Sequence, residues 1–136
     1  EMPSLLMEGL GQENGICFRN EDYLVVFDNE DQIDKISPDF NKLALLDLRG
    51  VIVTSPGKDY DFVSRAFFPK YGILEDPVTG SAHTKLIPYW SKKLNKSELK
   101  AKQISKRGGE LFCKDKIDRV YISGYAKLYM IGEIQL

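Results

Sequence analysis

The sequence predicts an α+β fold in which a curved mixed β-sheet wraps around one central helix. Residues 24–27 (Leu-Val-Val-Phe) are apolar without alternation, which is typical of a strand covered on both faces. Two helical segments separate this strand from the apolar residues 51–54, which suggests a crossover that would be right-handed if the two strands pair in parallel. Residues 84–94 predict a helix with a broad apolar face, which we expect to be the most buried helix.

Length and charge limit the classes of function. A chain of 136 residues suits a single domain, residues 1–136, with its own core. The formal net charge of −1 gives no reason to expect nucleic acid or an anionic membrane as a partner. The lysines within residues 92–106 are interpreted as a solvated surface, with a local basic face as the alternative. No apolar stretch approaches the ~20 residues that span a bilayer, so we expect no membrane partner.

The first part of the chain predicts a helix followed by a β-hairpin. Ser4 is a candidate cap for a helix over residues 3–10, and Gly9 or Gly11 ends it. Two strand segments follow, and the three-residue turn between them is short enough for an antiparallel hairpin: residues 15–19 and 23–28.

Two short helices are predicted between this hairpin and the strand at residues 51–54. Asn29 and Gln32 form a capping-box pattern that opens an acidic helix to Ile36. The Ser-Pro-Asp sequence at residues 37–39 is a stronger start, with a cap, a proline at the first helical position and an acid in the first turn. We expect this second helix to run to about Leu48 and to stop at Gly50.

A turn at residues 56–59 leads into a long, aromatic-rich strand at residues 60–68, which Pro69 ends. Arg65 in the middle of this strand has two interpretations. Its stem can lie along apolar surface with the head in water, or its guanidinium can face a ligand.

The last part of the chain predicts the central helix and an antiparallel meander. Pro88 should remove one backbone hydrogen bond from the helix and kink it. The glycines at residues 108–109 and the polar residues 114–116 fit tight turns between strands. Four strands are expected after the helix: residues 101–105, 110–114, 119–123 and 126–135.

The candidate site is the segment over residues 75–83, Glu-Asp-Pro-Val-Thr-Gly-Ser-Ala-His, at the start of the central helix. Amide groups at a helix start have no intrahelical partner, and the helix dipole adds partial positive charge there, so such a place binds anions. Gly80 allows a ligand to approach the backbone, and Thr79 and Ser81 can cap the helix or hydrogen-bond a ligand. Asp76 can face the same anion site from the incoming loop.

Each of these residues also has a structural interpretation. Asp76, Thr79 and Ser81 suit a turn and a helix cap. His83, the only histidine, has apolar neighbours and suits a buried structural role as well as a catalytic one. Gly80-Ser81 lacks the Gly-x-Ser-x-Gly pattern of a nucleophile elbow, which disfavours a serine nucleophile.

Cys17 and Cys113 lie far apart in the sequence and fit no metal spacing. With one histidine and no Cys/His cluster, a zinc site is not predicted. We interpret both cysteines as buried free thiols in a reducing cytoplasm, and therefore expect a cytoplasmic protein.

Residues 75–83, together with residues 61–69 (Asp-Phe-Val-Ser-Arg-Ala-Phe-Phe-Pro) and 107–109 (Arg-Gly-Gly), resemble the phenazine-biosynthesis PhzF-like family. Members of this family are similar in fold to diaminopimelate epimerase, in which each half is a barrel-like sheet around a helix. The resemblance covers essentially the whole chain, but only the second half of a family member. It implies a cofactor-independent isomerase that acts on a small carboxylated molecule, such as the dihydro-hydroxyanthranilate of phenazine formation.

The resemblance also implies roles for the site residues. Asp76 and Ser81 match active-site positions of the family, where a carboxylate takes a proton from carbon and returns it elsewhere. A contact with the substrate is expected for Thr79, Gly80, Ser81, His83 and Gly109, the amides of Gly80 and Ser81 facing the substrate anion. Diaminopimelate epimerase places a cysteine near the start of this helix and this chain has none, so thiol-based racemisation is not expected.

The family's principal acid/base glutamate and an assisting histidine belong to the first half, and neither has a counterpart here. Because half a cleft cannot position acid and base around a substrate, we expect these residues alone to be catalytically silent. Met2 follows Glu1, which indicates a cut or truncated protein whose partner is the missing N-terminal half. An uncovered apolar face should then drive homodimer formation. The alternative is a non-catalytic small-molecule binding or interaction domain that keeps the fold.

Overall fold

The computed structural model describes residues 2–135 and contains a mixed seven-stranded sheet whose strands follow one another in chain order. The strands are β1 (Ile16–Arg19), β2 (Tyr23–Val26), β3 (Val51–Pro56), β4 (Phe62–Phe67), β5 (Glu98–Gln103), β6 (Gly109–Asp115) and β7 (Val120–Ser123). The helices are α1 (Ser4–Leu10), α2 (Glu30–Asp34), α3 (Phe40–Ala44) and α4 (Gly80–Leu94), with a short 3-10 helix at Pro69–Tyr71. The α+β class predicted from the sequence is confirmed.

Neighbouring strands pair antiparallel except at two places. β2 pairs in parallel with β3, and β4 pairs in parallel with β5. Parallel neighbours need a crossover connection, and the chain supplies one each time, through α2 and α3 and then through α4. The predicted crossover between the two apolar strands is therefore present, and the antiparallel hairpin of β1 and β2 is confirmed.

The central strands β2, β3 and β4 are covered on both faces, and successive side chains of each strand point to opposite faces. Tyr23 and Val25 pack against α1, α2 and α3, whereas Leu24 and Val26 belong to the core on the α4 side. The prediction of a strand buried on both faces is thus confirmed. Trp90 fixes α4 to the sheet, since its ring stacks on Phe62 with 5.8 Å between centroids and its Nε1 donates to Thr54 Oγ1 at 3.0 Å.

The expected barrel-like wrapping around a central helix is not observed. The sheet is open, since β1 and β7 are its two edges and do not pair within residues 2–135. α4 contacts β5, β6 and β7 and packs on one face, while three shorter helices occupy the other face. The helix runs through Pro88 from Gly80 to Leu94.

Several predicted helix ends are wrong by a few residues. Pro3, not Ser4, is the N-cap of α1, and the helix ends at Gly11, whose φ of 63° lies in the left-handed region that favours glycine. Asp39, two residues after the predicted cap, begins α3, because its carboxylate accepts the amides of Asn41 and Lys42. That helix ends at Ala44 instead of about Leu48. The capping box of Asn29 and Gln32 is confirmed, but α2 ends at Asp34.

The strand predicted at residues 126–135 does not form. Residues 124–135 have no assigned helix or strand, and their large apolar side chains are exposed. A run rich in apolar residues is not sufficient for a strand, because the backbone also needs a neighbouring strand to bond to. No helix among residues 2–135 is long and apolar enough to cross a membrane.

Candidate functional site

The candidate site surrounds the first turn of α4. Thr79 is the N-cap of this helix, with extended backbone, but its side chain makes no capping hydrogen bond. Its Oγ1 donates instead to Asp76 Oδ2 at 2.5 Å. The first turn also contains no acidic residue. The amides at the start of α4 therefore keep the anion-binding character that a capping oxygen would satisfy.

Gln103 holds the loop in front of the helix. Its side-chain amide donates to the carbonyl of Asp76 at 2.7 Å and to Thr79 Oγ1 at 3.0 Å, while its Oε1 accepts the Thr79 N–H at 2.8 Å. The side chain is fully buried at the end of β5. Sequence analysis missed this residue. The usable signal was a glutamine on the buried face of a strand, in line with Leu99 and Ala101.

Three of the sequence-predicted residues share one cavity of about 260 Å³, here called the Asp76 cavity. Asp76 and Thr79 line it from the loop, and Ser81 lines it from the first turn of α4. Its other walls are Arg49, Phe68, Tyr71 and Ile73. The structure therefore brings the two predicted catalytic residues, Asp76 and Ser81, to one place.

The two predicted glycines lie together in a second cavity of about 700 Å³, here called the Gly80 cavity. A Cβ placed on Gly80 would meet no atom within 4 Å, so the backbone there is open to a ligand. Gly109 has a different constraint, because a Cβ would lie 2.4 Å from Val78 Cγ2. Its missing side chain lets the loop before α4 pack against β6. The predicted site residues are thus divided between two cavities beside the same helix start.

His83 does not reach either cavity. Its side chain is 0% exposed, its Nδ1 bonds the carbonyl of Thr79 at 2.7 Å, and its ring lies beside Phe62. Burial lowers the pKa of this imidazole, and the hydrogen bond to Thr79 opposes that shift only in part. The predicted contact of His83 with a substrate is not supported by this position, because the side chain points into the core on the α4 side.

Arg65 also has a structural role. Its guanidinium donates to both carboxylate oxygens of Glu75 at 2.7 and 3.0 Å and to the carbonyls of Ile33 and Ile36 at 3.0 and 2.8 Å. These bonds tie the loop before the site to α2. Both earlier interpretations of Arg65 are wrong, since its head group faces neither water nor one of the two cavities.

Arg49 is a residue of the site that sequence analysis missed. Its Nε and Nη2 donate to the two carboxylate oxygens of Asp22 at 2.8 and 2.6 Å, and Nη2 lies 3.4 Å from Ser81 Oγ. Lys85 Nζ donates to the same Asp22 carboxylate at 2.8 Å. Burial alone would raise the pKa of Asp22, but the bonds from Arg49 and Lys85 outweigh it and hold that pKa below its usual value. No motif in the sequence links these three residues.

The described residues contain no group of three or more His, Cys, Asp or Glu side chains that could hold a metal ion. Cys17 and Cys113 are both free thiols, but only Cys113 is buried as predicted, since Cys17 lies on the edge strand β1 and is partly exposed. Burial raises the pKa of the Cys113 thiol to about 11.

Comparison with known proteins gives consistent matches. A family model described as "Phenazine biosynthesis-like protein" (PhzC-PhzF) matches residues 17–132. An uncharacterized isomerase of Pseudomonas aeruginosa is 48% identical over 134 residues, which are 98% of this chain and 52% of that protein. A second uncharacterized isomerase, from Halalkalibacterium halodurans, is 47% identical over 137 residues. The match covers 98% of this chain and 52% of that protein.

The fold has a close counterpart among solved structures. The crystal structure of a PhzF-family phenazine biosynthesis protein from Enterococcus faecalis superposes with a TM-score of 0.91 at 48% identity, covering 100% of this chain and 53% of that one. The chain spans about half the length of the curated relatives it matches.

Proposed function

The chain belongs to the phenazine biosynthesis-like (PhzC-PhzF) family, and from this we propose that it is the C-terminal half of a cofactor-independent isomerase that moves a proton within a small carboxylated molecule. The observation that carries the proposal is the shared cavity of Asp76 and Ser81 at the start of α4. Two relatives that match nearly the whole chain are named isomerases, which supports the same class of reaction. A shared active-site frame does not fix the substrate, so the proposal extends only to its class.

Asp76 is the proposed acid/base group of this half. Its Oδ2 accepts the Thr79 hydroxyl, which fixes the carboxylate and leaves Oδ1 for a substrate proton. The carboxylate would take a proton from one carbon and return it to another, a step to which a positioned acid/base contributes about 10²–10⁴-fold.

The amides of Gly80 and Ser81 are the proposed holders of the substrate carboxylate. They lie at the positive end of the α4 dipole, and Thr79 does not cap that end. The open space beside Gly80 allows the anion to reach the backbone. Charge that develops on the substrate during proton transfer would be stabilised by the same groups.

The other half of the active site is proposed to lie outside this chain. The resemblance assigns the principal acid/base glutamate to the first half of a family member, and the chain covers about half of its relatives. Exposed apolar side chains next to the Asp76 cavity, Tyr71, Ile73 and Leu74, suit coverage by that half. The barrel-like closure expected from the resemblance, and the homodimer expected of the isolated chain, are proposals of the same kind. A cytoplasmic location is proposed from the two free thiols.

A complementation experiment tests the proposal. The chain is mixed in D₂O with the separately expressed first half of the Pseudomonas aeruginosa relative, and deuterium incorporation at carbon of a dihydro-hydroxyanthranilate is followed by NMR. We expect exchange with the mixture and none with the chain alone. Asp76→Asn should lower the exchange about 100-fold or more. Asp118→Asn, at an exposed acid, is the matched control and should leave it unchanged. Exchange that persists in the Asp76→Asn mixture would contradict the proposed role.

The second candidate function is a non-catalytic binding domain. It is favoured by the presence of a single carboxylate, that of Asp76, among the residues lining the Asp76 cavity. Proton transfer between two carbons is easier with two positioned groups than with one. Carboxylate binding without any deuterium exchange in the complemented mixture would support this candidate over the isomerase.

A further inference from the structure

We propose that Arg49 is the side chain that binds the carboxylate of the ligand in the Asp76 cavity, held in position by the buried carboxylate of Asp22. The inference rests on the proposed function of that cavity and deepens it. It adds a positively charged side chain to a site whose anion-binding groups were otherwise the backbone amides of Gly80 and Ser81. It also makes Arg49 the residue that selects an acid over its neutral analogue.

The anchoring of Arg49 is the first argument. The Asp22 side chain is 0% exposed and accepts two parallel bonds from Nε and Nη2, which fix the plane of the guanidinium. The backbone is fixed as well, since the Arg49 N–H donates to the carbonyl of Glu21 at 3.0 Å. The guanidinium carbon lies 5.4 Å from the centre of the Phe68 ring. Arg49 is therefore held in position before a ligand binds, so binding does not have to order its side chain.

The direction of the free donors is the second argument. Arginine has five N–H donors, and Asp22 uses two of them. Nη2 also lies 3.4 Å from the hydroxyl of Ser81, a long contact that a ligand oxygen can replace. Within residues 2–135, Nη1 donates to no acceptor. The side chain is 35% exposed and lines the Asp76 cavity.

Local charge is the third argument. One buried carboxylate, Asp22, is shared by two cations, Arg49 and Lys85, so these three side chains together carry one net positive charge. Glu21 also contacts Lys85 at 3.3 Å, but it is 70% exposed and is screened by water. A ligand carboxylate beside Arg49 would neutralise the excess charge in a partly desolvated place, where such a pair is stronger than in water.

The walls of the cavity indicate the shape of the ligand. Arg49 supplies a positive charge to the cavity, Ser81 supplies a hydroxyl and Asp76 supplies a carboxylate. Apolar surface is supplied by Phe68 and Ile73. This arrangement fits a small ring or short alkyl acid whose carboxylate meets Arg49 while a C–H or polar hydrogen faces Asp76.

The test uses a matched pair of probes, benzoate and benzamide, which have nearly the same shape and differ in charge. Binding to the 136-residue chain is followed by the NMR shifts of the amides of Gly80 and Ser81. We expect benzoate to bind and benzamide to bind more weakly. Arg49→Gln should lower the affinity for benzoate about tenfold or more, which corresponds to the loss of a charge-assisted hydrogen bond. The affinity for benzamide should not change. Arg49→Lys should retain part of the preference.

Two controls keep the test decisive. Lys92→Gln removes an exposed cation in the last turn of α4 and should leave both probes unchanged. Because Arg49→Gln leaves Asp22 without one partner and can impair folding, the guanidinium resonances of Arg49 are also followed in the unaltered chain. They should shift with benzoate but not with benzamide.

The outcomes separate this inference from the proposed function. Benzoate binding at Gly80 and Ser81 that is equally tight in Arg49→Gln, or guanidinium resonances that do not respond, would overturn the role of Arg49 and leave amide-based anion binding intact. Equal affinity for benzoate and benzamide would overturn it too. If neither probe shifts the amide resonances of Gly80 and Ser81, both proposals are overturned.

Discussion

The hydroxyl of Thr79 donates to the carboxylate of Asp76 at 2.5 Å, although Thr79 is the N-cap of α4 and such a side chain ordinarily caps its own helix. One bond therefore has two effects. It holds the proposed acid/base group in one orientation, and it leaves the first amides of the helix for an anion. The cost is about 1 kcal/mol of capping energy, which the surrounding hydrogen bonds of Gln103 offset.

Thr79→Val should separate these two effects. Valine is close in shape to threonine but has no hydroxyl, so Asp76 loses its donor and Gln103 loses an acceptor. We expect a loss of about 1–3 kcal/mol in the free energy of unfolding, measured by urea titration, and slower deuterium exchange in the complemented mixture. Thr79→Ser keeps the hydroxyl and should stay close to the unaltered chain. A Thr79→Val protein of full stability and full exchange would show that this bond has no role.

Gln103→Leu should destabilise the loop in front of α4. The substitution leaves the Thr79 N–H and the Asp76 carbonyl without their side-chain partner, and an unsatisfied buried polar group costs about 1–3 kcal/mol. We expect a loss of about 2–4 kcal/mol in the free energy of unfolding. Gln135→Leu, at an exposed glutamine, is the control and should change stability by less than about 0.5 kcal/mol. A Gln103→Leu chain with unchanged stability would contradict the anchoring role.

His83 should make stability depend on pH in mildly acidic solution. Burial lowers its pKa below the model-peptide value of 6.5, so between that value and the folded-state pKa the unfolded chain binds the proton more readily than the folded chain. Stability is therefore full above about pH 6.5 and falls as the pH is lowered, by at most about 1.4 kcal/mol per pH unit.

The measurement compares urea unfolding at pH 7.5 with unfolding at pH 5.5. His83 is the only histidine, so a His83→Gln chain should lack most of this dependence. Asp22 has a lowered pKa and loses its contribution only below its ordinary pKa of about 4, outside this window. If the free energy of unfolding changes equally with pH in both proteins, a group other than His83 causes the effect.

Asp22→Asn should be far more damaging than loss of an exposed ion pair. It leaves Arg49 and Lys85 together without their shared counter-charge, and removal of one partner from a buried pair costs about 3–5 kcal/mol. Since Arg49 is partly exposed, we expect the free energy of unfolding to fall by about 3 kcal/mol, at the low end of that range. The control is Asp31→Asn, which breaks the exposed pair with Lys58 and should cost less than about 1 kcal/mol. Similar losses in the two variants would show that the Asp22 cluster is not a special anchor.

Local features of the structure could be read from neighbouring residues. The capping box at Asn29 follows from side chains three residues apart, and the β-hairpin follows from two apolar runs with a short turn between them. The anion-binding segment at residues 75–83 has the same local character, because a helix start, a glycine and two hydroxyls are contiguous. The segment alone predicts that Asp76 and Ser81 face one site, and both residues line the Asp76 cavity.

Features that depend on distant neighbours were missed or wrong. The residues 126–135 have a strand-like pattern but no strand beside them in the described range, so they do not pair. His83 stands one turn after Thr79, and only the packing of α4 on the sheet turns its ring into the core. The start of α3 also differs from the prediction, because the Asp39 carboxylate accepts the amides of Asn41 and Lys42 and so Asp39, not Ser37, is the N-cap.

Adjacent residues thus decided the class of fold, the family resemblance and the position of the candidate site, since caps, turns and strand alternation act over a few residues. Pairings such as Arg49 with Asp22 and Gln103 with Thr79 join residues 27 and 24 positions apart. They exist only once β2, β3, β5 and α4 are packed together. Electrostatic and hydrogen-bond partners depend on distance in space, and folding alone brings such separated residues within reach.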